Sequence, residues 1–267
     1  MPSTFAAVSE PIRQLARSID TQGYACIENL LSHDDLTQLR AFTDQQAQRH
    51  AGEYFACHGD QALAGCSLLQ MCSSPTLQQL LADLYCLAAG QQSVGQSIFP
   101  VLRCVQGNQG RRESNCFHFD ASLVTVLIPI YIPDEGQQRG DLMMFPNLRS
   151  ASRSLLVNVL HKMLLQNAIT RSLLAWAIRL GWLKPLIVQL VPGSIYLFWG
   201  YRSLHANQPC SPGVIRATAI LHFGDPHHGS LITRLIRRIT ERRAMRVSAQ
   251  ALTPDASSAR QHGGSDD

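Results

Sequence analysis

A chain of 267 residues, 45% hydrophobic and 16% charged, is long enough to bury a sizeable core in one large domain. Its eight cysteines form no C-x-x-C pair and share no repeated spacing, which argues against a zinc ribbon, a redox dithiol or a disulfide scaffold and implies reduced thiols in a cytoplasmic protein. The net charge of +4 conceals an asymmetry: residues 142–250 hold 14 Lys and Arg against only Asp225 and Glu241, so this half either pairs with the acidic first half or offers a basic face to an anionic substrate or a membrane surface.

Phe5, Val8, Ile12, Leu15 and Ile19 lie near helical spacing and predict a helix over 3–20, broken by Gly23. Phe5-Ala6-Ala7-Val8 is too short for a secretory leader, and no apolar run reaches the length of a membrane span. Residues 24–31 read as a strand. Ser32 then caps a helix whose first turn carries Asp34 and Asp35, where the helix dipole favours anions. Residues 43–74 are polar and carry little signal, and 75–87 read as a further helix. Strands are expected within 94–105, interrupted by Pro100, and the segment 107–112 is a loop. The run from Leu123 to Ile132 is almost continuously apolar, as in a strand covered on both faces. A short strand follows over 142–145.

Residues 150–185 change character. Leu155, Leu156, Val159, Leu160, Met163 and Leu164 form one face of a helix, and Thr170 opens a second helix running to Trp182. This insert is either ordinary core or a lid over a site. Strands resume over 187–190 and 195–199, and 205–209 read as a loop. In the strand 214–223, alternation places Arg216, Thr218, Ile220 and His222 on one face. An arginine among so many apolar residues calls for an anionic partner. The segment 231–246 reads as a basic amphipathic helix, with an apolar stripe that packs on its own domain or docks on a membrane surface. The tail 251–267 is polar and reads as disordered. The whole is expected to be one domain over 1–250.

The chemistry centres on His118-Phe119-Asp120. The same pattern occurs at His33-Asp34-Asp35, where helix capping explains it, so the triplet is not specific by itself. His205 supplies a third ligand type from a distant stretch, and Arg216 follows it by eleven residues. Two imidazoles and one carboxylate on one side of a metal, with open positions opposite, suit Fe(II) that must also bind a co-substrate and dioxygen.

With these residues in place the chain resembles the phytanoyl-CoA dioxygenase-like family of Fe(II)/2-oxoglutarate-dependent oxygenases over most of residues 20–225. The opening Gly23-Tyr24-Ala25-Cys26-Ile27, the His118-x-Asp120 pair, the segment Gly140-Asp141-Leu142 to Pro146, the stretch Pro192-Gly193-Ser194 to Phe198, His205 and Arg216 carry the likeness. The family's asparagine before Gly140 is Arg139 here, its Gly-Ser-His after Pro146 is Asn147-Leu148-Arg149, and Ser194 stands for its aspartate. The resemblance implies a mainly β fold with flanking helices: a double-stranded β-helix (a cupin-like jelly roll) with N-terminal helices and a helical insert. It also implies His118, Asp120 and His205 as iron ligands, with Arg216 on the distal carboxylate of 2-oxoglutarate and Thr218 and Asn207 beside that co-substrate. Because Asp120 is present, halogenation is not the expected reaction.

The expected activity is hydroxylation of a small or lipid-like anionic molecule. A lipid or lipopolysaccharide hydroxylase at a membrane surface is the alternative, and from another class, a barrel that binds a ligand without turnover. The intact ligand set counts against the last, and basic residues without interleaved exposed aromatics count against nucleic acid. Arg103 reads as a salt-bridging residue or a second co-substrate contact. His222 reads as a pocket or core histidine, and His227-His228 as a surface turn.

Overall fold

The computed structural model describes residues 12–90, 92, 95–108, 114–133, 138–149 and 168–225. The first helix of the insert, the basic segment 231–246, His227-His228 and the tail 251–267 lie outside these residues, as does the start of the N-terminal helix.

In chain order the elements are α1 (Ile12–Gln22), β1 (Ala25–Ile27), α2 (His33–Arg49), β2 (Phe55–His58), α3 (Gly59–Ala62), α4 (Ser67–Cys72) and α5 (Pro75–Ala89). They continue with β3 (Phe99–Val105), β4 (Val124–Tyr131), β5 (Leu142–Phe145), α6 (Ala168–Arg179), β6 (Leu186–Val188), β7 (Ile195–Phe198), β8 (Leu204–Asn207) and β9 (Arg216–Phe223). The strands build two antiparallel sheets. One has six strands in the order β1-β7-β4-β9-β3-β2, and the other has three in the order β6-β5-β8.

Side-chain alternation dictates the layering. On the large sheet Val124, Val126, Ile128, Ile195, Leu197, Ala217, Ala219 and Leu221 share a buried cluster with Leu15 and Ile19 of α1, Leu39 of α2, Leu68 of α4 and Leu81 and Leu84 of α5. The intervening residues point the other way. Leu127, Tyr196 and Phe198 join Leu142, Met144 and Val188 of the small sheet in a second cluster. The large sheet is therefore covered by helices on one face and by the small sheet on the other. That explains why β4 reads as an unbroken apolar run.

Several elements differ from the sequence reading for identifiable reasons. The strand expected over 24–31 is only three residues long, because its pairing with β7 ends at Ile27–Ile195 and Asn29 takes a positive φ. Pro100 lies inside β3 rather than interrupting it. Its neighbour β2 reaches only Val101, so the missing N–H breaks no ladder bond on that side. Pro129 sits in the central strand β4 at a register shift against β9, where a bulge tolerates the lost donor. Thr170 lies within α6 instead of capping it. By contrast, Ser32 caps α2 with a reciprocal box: its side chain accepts from the Asp35 N–H while the Asp35 carboxylate accepts from the Ser32 N–H.

All eight cysteines are free. Burial pushes the Cys57 thiol up to about 11 and the Cys104 thiol up to about 12. At pH 8 only about one part in a thousand of Cys57 is then thiolate, the reactive form. Brief iodoacetamide treatment of the native protein at pH 8 should leave both residues unmodified by peptide mass mapping, whereas unfolding in urea should expose all eight. Modification of either at the rate of a free thiol would contradict their burial.

Candidate metal centre

The site forms where the chain before β4 is laid against β8. His118 and His205 exchange both backbone hydrogen bonds, each N–H donating to the other carbonyl at 3.0 Å. Residues directly opposite in an antiparallel pair project to the same side. The two imidazoles accordingly stand together, with ring centroids 4.4 Å apart. Two residues on from His118, extended geometry returns Asp120 to the same side, and its N–H is fixed on the Gly200 carbonyl at 3.0 Å. His205, expected in a loop, is thus on strand β8, paired with Met144 of β5 on the side away from His118.

Ligand-type atoms of His118, Asp120 and His205 lie within 4.8 Å of one another, and these three are the one such group among the described residues. His33 and its neighbours are not part of it; they open α2, as capping predicts. The Nε2 atoms of His118 and His205 face Asp120 at 3.6 and 3.5 Å. Their Nδ1 atoms lie 2.8 and 3.0 Å from the carbonyls of Cys116 and Ser203, each two residues upstream. A carbonyl can only accept, so both Nδ1 atoms carry a proton, and Nε2 is the nitrogen of each ring turned inward, the one that metal ligation would use.

Protonation follows the same geometry. Burial raises the Asp120 carboxyl, but the imidazoles of His205, His222 and His118 outweigh it and hold it well below the usual carboxylate range. Burial lowers His205 to about 4 despite the opposing pull of Asp120. At His118 burial also lowers, but the hydrogen bond and charge of Asp120 prevail and raise it. Two imidazole nitrogens and one anionic carboxylate oxygen form a donor set that fits Fe(II), which would replace any proton on Nε2.

Neighbouring residues hold the carboxylate. Thr125 donates its hydroxyl to Asp120 Oδ2 at 2.6 Å. A Cβ added at Gly200 would press on both the Thr125 hydroxyl and the Asp120 carboxylate, so this position must lack a side chain. Sequence reasoning singled out neither residue. A threonine in an otherwise apolar strand was the available signal for Thr125; Gly200 carried only a turn signal. His222 lines the cavity and shares a 2.9 Å hydrogen bond with Ser122; with its side chain 25% exposed it is a pocket residue rather than a core one.

The cavity opens between the two sheets, against Leu127, Phe198, Thr218 and Ile220 of the large sheet and Leu142, Ala206 and Asn207 of the small one. Arg216 is 1% exposed and is joined to that wall through Asn207. Its Nε donates to the Gly140 carbonyl at 2.6 Å and its Nη2 to Asn207 Oδ1 at 3.0 Å. Its Nη1 is buried with no hydrogen-bond partner among the described residues. Gly140, at a φ of 74°, lets its backbone approach the guanidinium, because a Cβ there would strike Arg216 Cδ and Nε. Burial lowers Arg216 to about 10, with the nearby Arg103 acting in the same direction. Arg103 reaches the cavity wall and stacks over Tyr54 at 5.4 Å. Thr218 pairs with Arg103 across the β3–β9 ladder and lines the cavity.

One further cation stands beside the triad. The Arg149 guanidinium lies 4.1 Å from the ring of Phe119 and 4.0 Å from that of Tyr201, and its Nε donates to the Tyr201 carbonyl. The departure Asn147-Leu148-Arg149 therefore places a clamped arginine against the residue between His118 and Asp120.

No family model matches the sequence, and no curated protein matches it. Solved structures do. A prolyl 4-hydroxylase from Phytophthora capsici, 14% identical, aligns with 86% of this chain and 66% of its own at a TM-score of 0.55. AviO1 from Streptomyces viridochromogenes Tue57, 14% identical, aligns over 82% and 97% at 0.53. The non-heme alpha ketoglutarate dependent epimerase SnoN of nogalamycin biosynthesis, 15% identical, aligns over 80% of each chain at 0.48. At this level of identity the first two likenesses are of fold. No helix among the described residues is long and apolar enough to cross a membrane.

Proposed function

We propose that this chain is an Fe(II)/2-oxoglutarate-dependent dioxygenase of the phytanoyl-CoA dioxygenase-like kind, built on a double-stranded β-helix in one domain over 1–250. The observation that carries this reading is the combination of the His118-Asp120-His205 triad with a buried Arg216 whose Nη1 has no protein partner in the described structure. A buried cation without a carboxylate partner is costly unless an anion completes it. The fold shared with a prolyl 4-hydroxylase supports the reading.

His118, Asp120 and His205 would hold Fe(II). Arg216 and Thr218 would hold the distal carboxylate of 2-oxoglutarate, with Asn207 beside them. With 2-oxoglutarate and dioxygen, such a centre supplies an oxidant strong enough to take hydrogen from an unactivated C–H bond. The protein keeps both imidazoles in the Nε2-ligating tautomer, fixes the carboxylate through Thr125, and excludes water with the apolar wall of Leu127, Leu142, Phe198 and Ile220. The substrate class proposed is a small or lipid-like anionic molecule in the cytoplasm, and Arg149 beside the triad supports the anionic part. Contact of residues 231–246 with a membrane surface remains a separate proposal from their sequence.

Anaerobic addition of Fe(II) and 2-oxoglutarate to the full-length protein should produce a visible metal-to-ligand charge-transfer band. Its absence in folded protein would reject the co-substrate assignment.

A further inference from the structure

Helix α6 carries apolar residues on two sides. Leu174 and Ile178, four apart, pack on a cluster of Phe117, Met143, Leu204 and Ala206, with Phe119 and Phe145. Leu173, Trp176 and Leu180 fall at i, i+3 and i+7 on another stripe, and they are 59, 50 and 47% exposed. Just past the helix Trp182 is 70% exposed and meets Trp176 edge-on, with ring centroids 4.9 Å apart. Two tryptophans in edge-on contact and two leucines in water mark an interaction site rather than scattered surface apolarity.

The charge around this face selects the partner. Arg179 and Lys184 are exposed beside it, and no Asp or Glu occurs between Asp141 and Asp225. A second copy of the chain docking here through a two-fold contact would set these cations against themselves. Segment 226–250 of the same chain brings six arginines and one acid, Glu241, and meets the same repulsion. Tryptophan favours the headgroup level of a bilayer, and basic side chains are drawn to anionic lipid.

We propose that the face formed by Leu173, Trp176, Leu180 and Trp182, flanked by Arg179 and Lys184, docks on a lipid bilayer surface that carries anionic headgroups. The inner side of α6 packs on the cluster that holds Phe117, the neighbour of His118, so the bilayer would lie about one helix diameter, ~10 Å, from the site's outer wall. Delivery of a lipid-like substrate from that surface rests on the oxygenase reading; the docking itself does not.

The test is flotation of the full-length protein with phosphatidylcholine vesicles, with and without phosphatidylglycerol. The expected result is recovery with the anionic vesicles and a drop of about tenfold in Trp176→Ser/Trp182→Ser and in Arg179→Glu/Lys184→Glu. Brominated lipids should quench the wild-type emission but not that of the double Trp variant, which retains only Trp199, 0% exposed and bonded to Asp20. Unchanged far-UV circular dichroism in the variants shows that loss of flotation is not loss of fold. Equal flotation of the double Trp variant and the wild type overturns the proposal, as does equal recovery with neutral vesicles. So does a loss confined to Arg237→Glu/Arg238→Glu, or a wild type that floats with neither vesicle and forms a dimer that the double Trp variant dissolves. Flotation that follows the Trp pair in a protein without the charge-transfer band would reject the oxygenase reading and leave the docking face standing.

Discussion

Replacing Gly200 with alanine is expected to weaken Fe(II) binding by about 10- to 100-fold, although Gly200 offers no ligand. Its carbonyl holds the Asp120 N–H, and its Cα passes so close to the carboxylate that an added methyl would press on both Asp120 and Thr125. Neither contact is the free end of a flexible chain. Asp120 is buried, and its Oδ2 is already committed to the Thr125 hydroxyl. The carboxylate must therefore turn away from the two Nε2 atoms or the strand end must shift. Asp120→Ala should remove metal binding altogether, because two imidazoles alone make a poor site. Titrating metal-free wild type and both variants with Fe(II) under anaerobic conditions, alongside thermal unfolding, distinguishes ligand displacement from collapse of the fold. Wild-type affinity in a folded Gly200→Ala protein would show that this close approach does not position the carboxylate.

Arg216→Met should separate stability from co-substrate binding. Without ligand the guanidinium is buried, is bonded among the described residues to neutral acceptors at Gly140 and Asn207, and has its ionisation lowered to about 10 by burial. Exchanging such a cation for an apolar side chain of similar length is often neutral or stabilising. The melting temperature without ligand should thus change little. A buried carboxylate that loses its cationic partner costs about 2–5 kcal/mol, so the dissociation constant for 2-oxoglutarate should rise by about 30-fold or more. The thermal shift that 2-oxoglutarate gives the wild type should disappear in the variant. Equal shifts in both proteins would transfer the carboxylate to another cation, and Arg103 on the cavity wall is the residue to vary next.

Much of the site was legible because strand alternation is a local rule. On β9 the cavity-lining Thr218, Ile220 and His222, with Arg216 on the same face by alternation, could be read from the sequence, since the opposite face, Ala217, Ala219, Leu221, Phe223, is apolar throughout and joins the helix-side core. β4 was legible because both of its faces are covered, and α2 because its capping box is local. β2 was not legible: four residues within a polar stretch become a strand only by pairing with β3. β8 looked like a loop because Asn207-Gln208-Pro209 carries turn chemistry, yet it is held as a strand between β5 and His118. Arg149 appeared only as a departure from a family pattern, and its position between Phe119 and Tyr201 depends on three segments far apart in the chain.

By itself, then, the sequence determined which residue types can make a metal centre and which face of each long strand turns inward, because both follow from side-chain chemistry and from periods of two or 3.6 residues. Only the tertiary structure decided how His118 is brought against His205, since reciprocal backbone bonds between residues 87 positions apart have no local signature. It also decided the tautomer of each imidazole, the need for a bare Cα at Gly200, and the exposure of Trp176 and Trp182. Each of these depends on what lies within a few ångströms in space, and distance along the chain does not encode that.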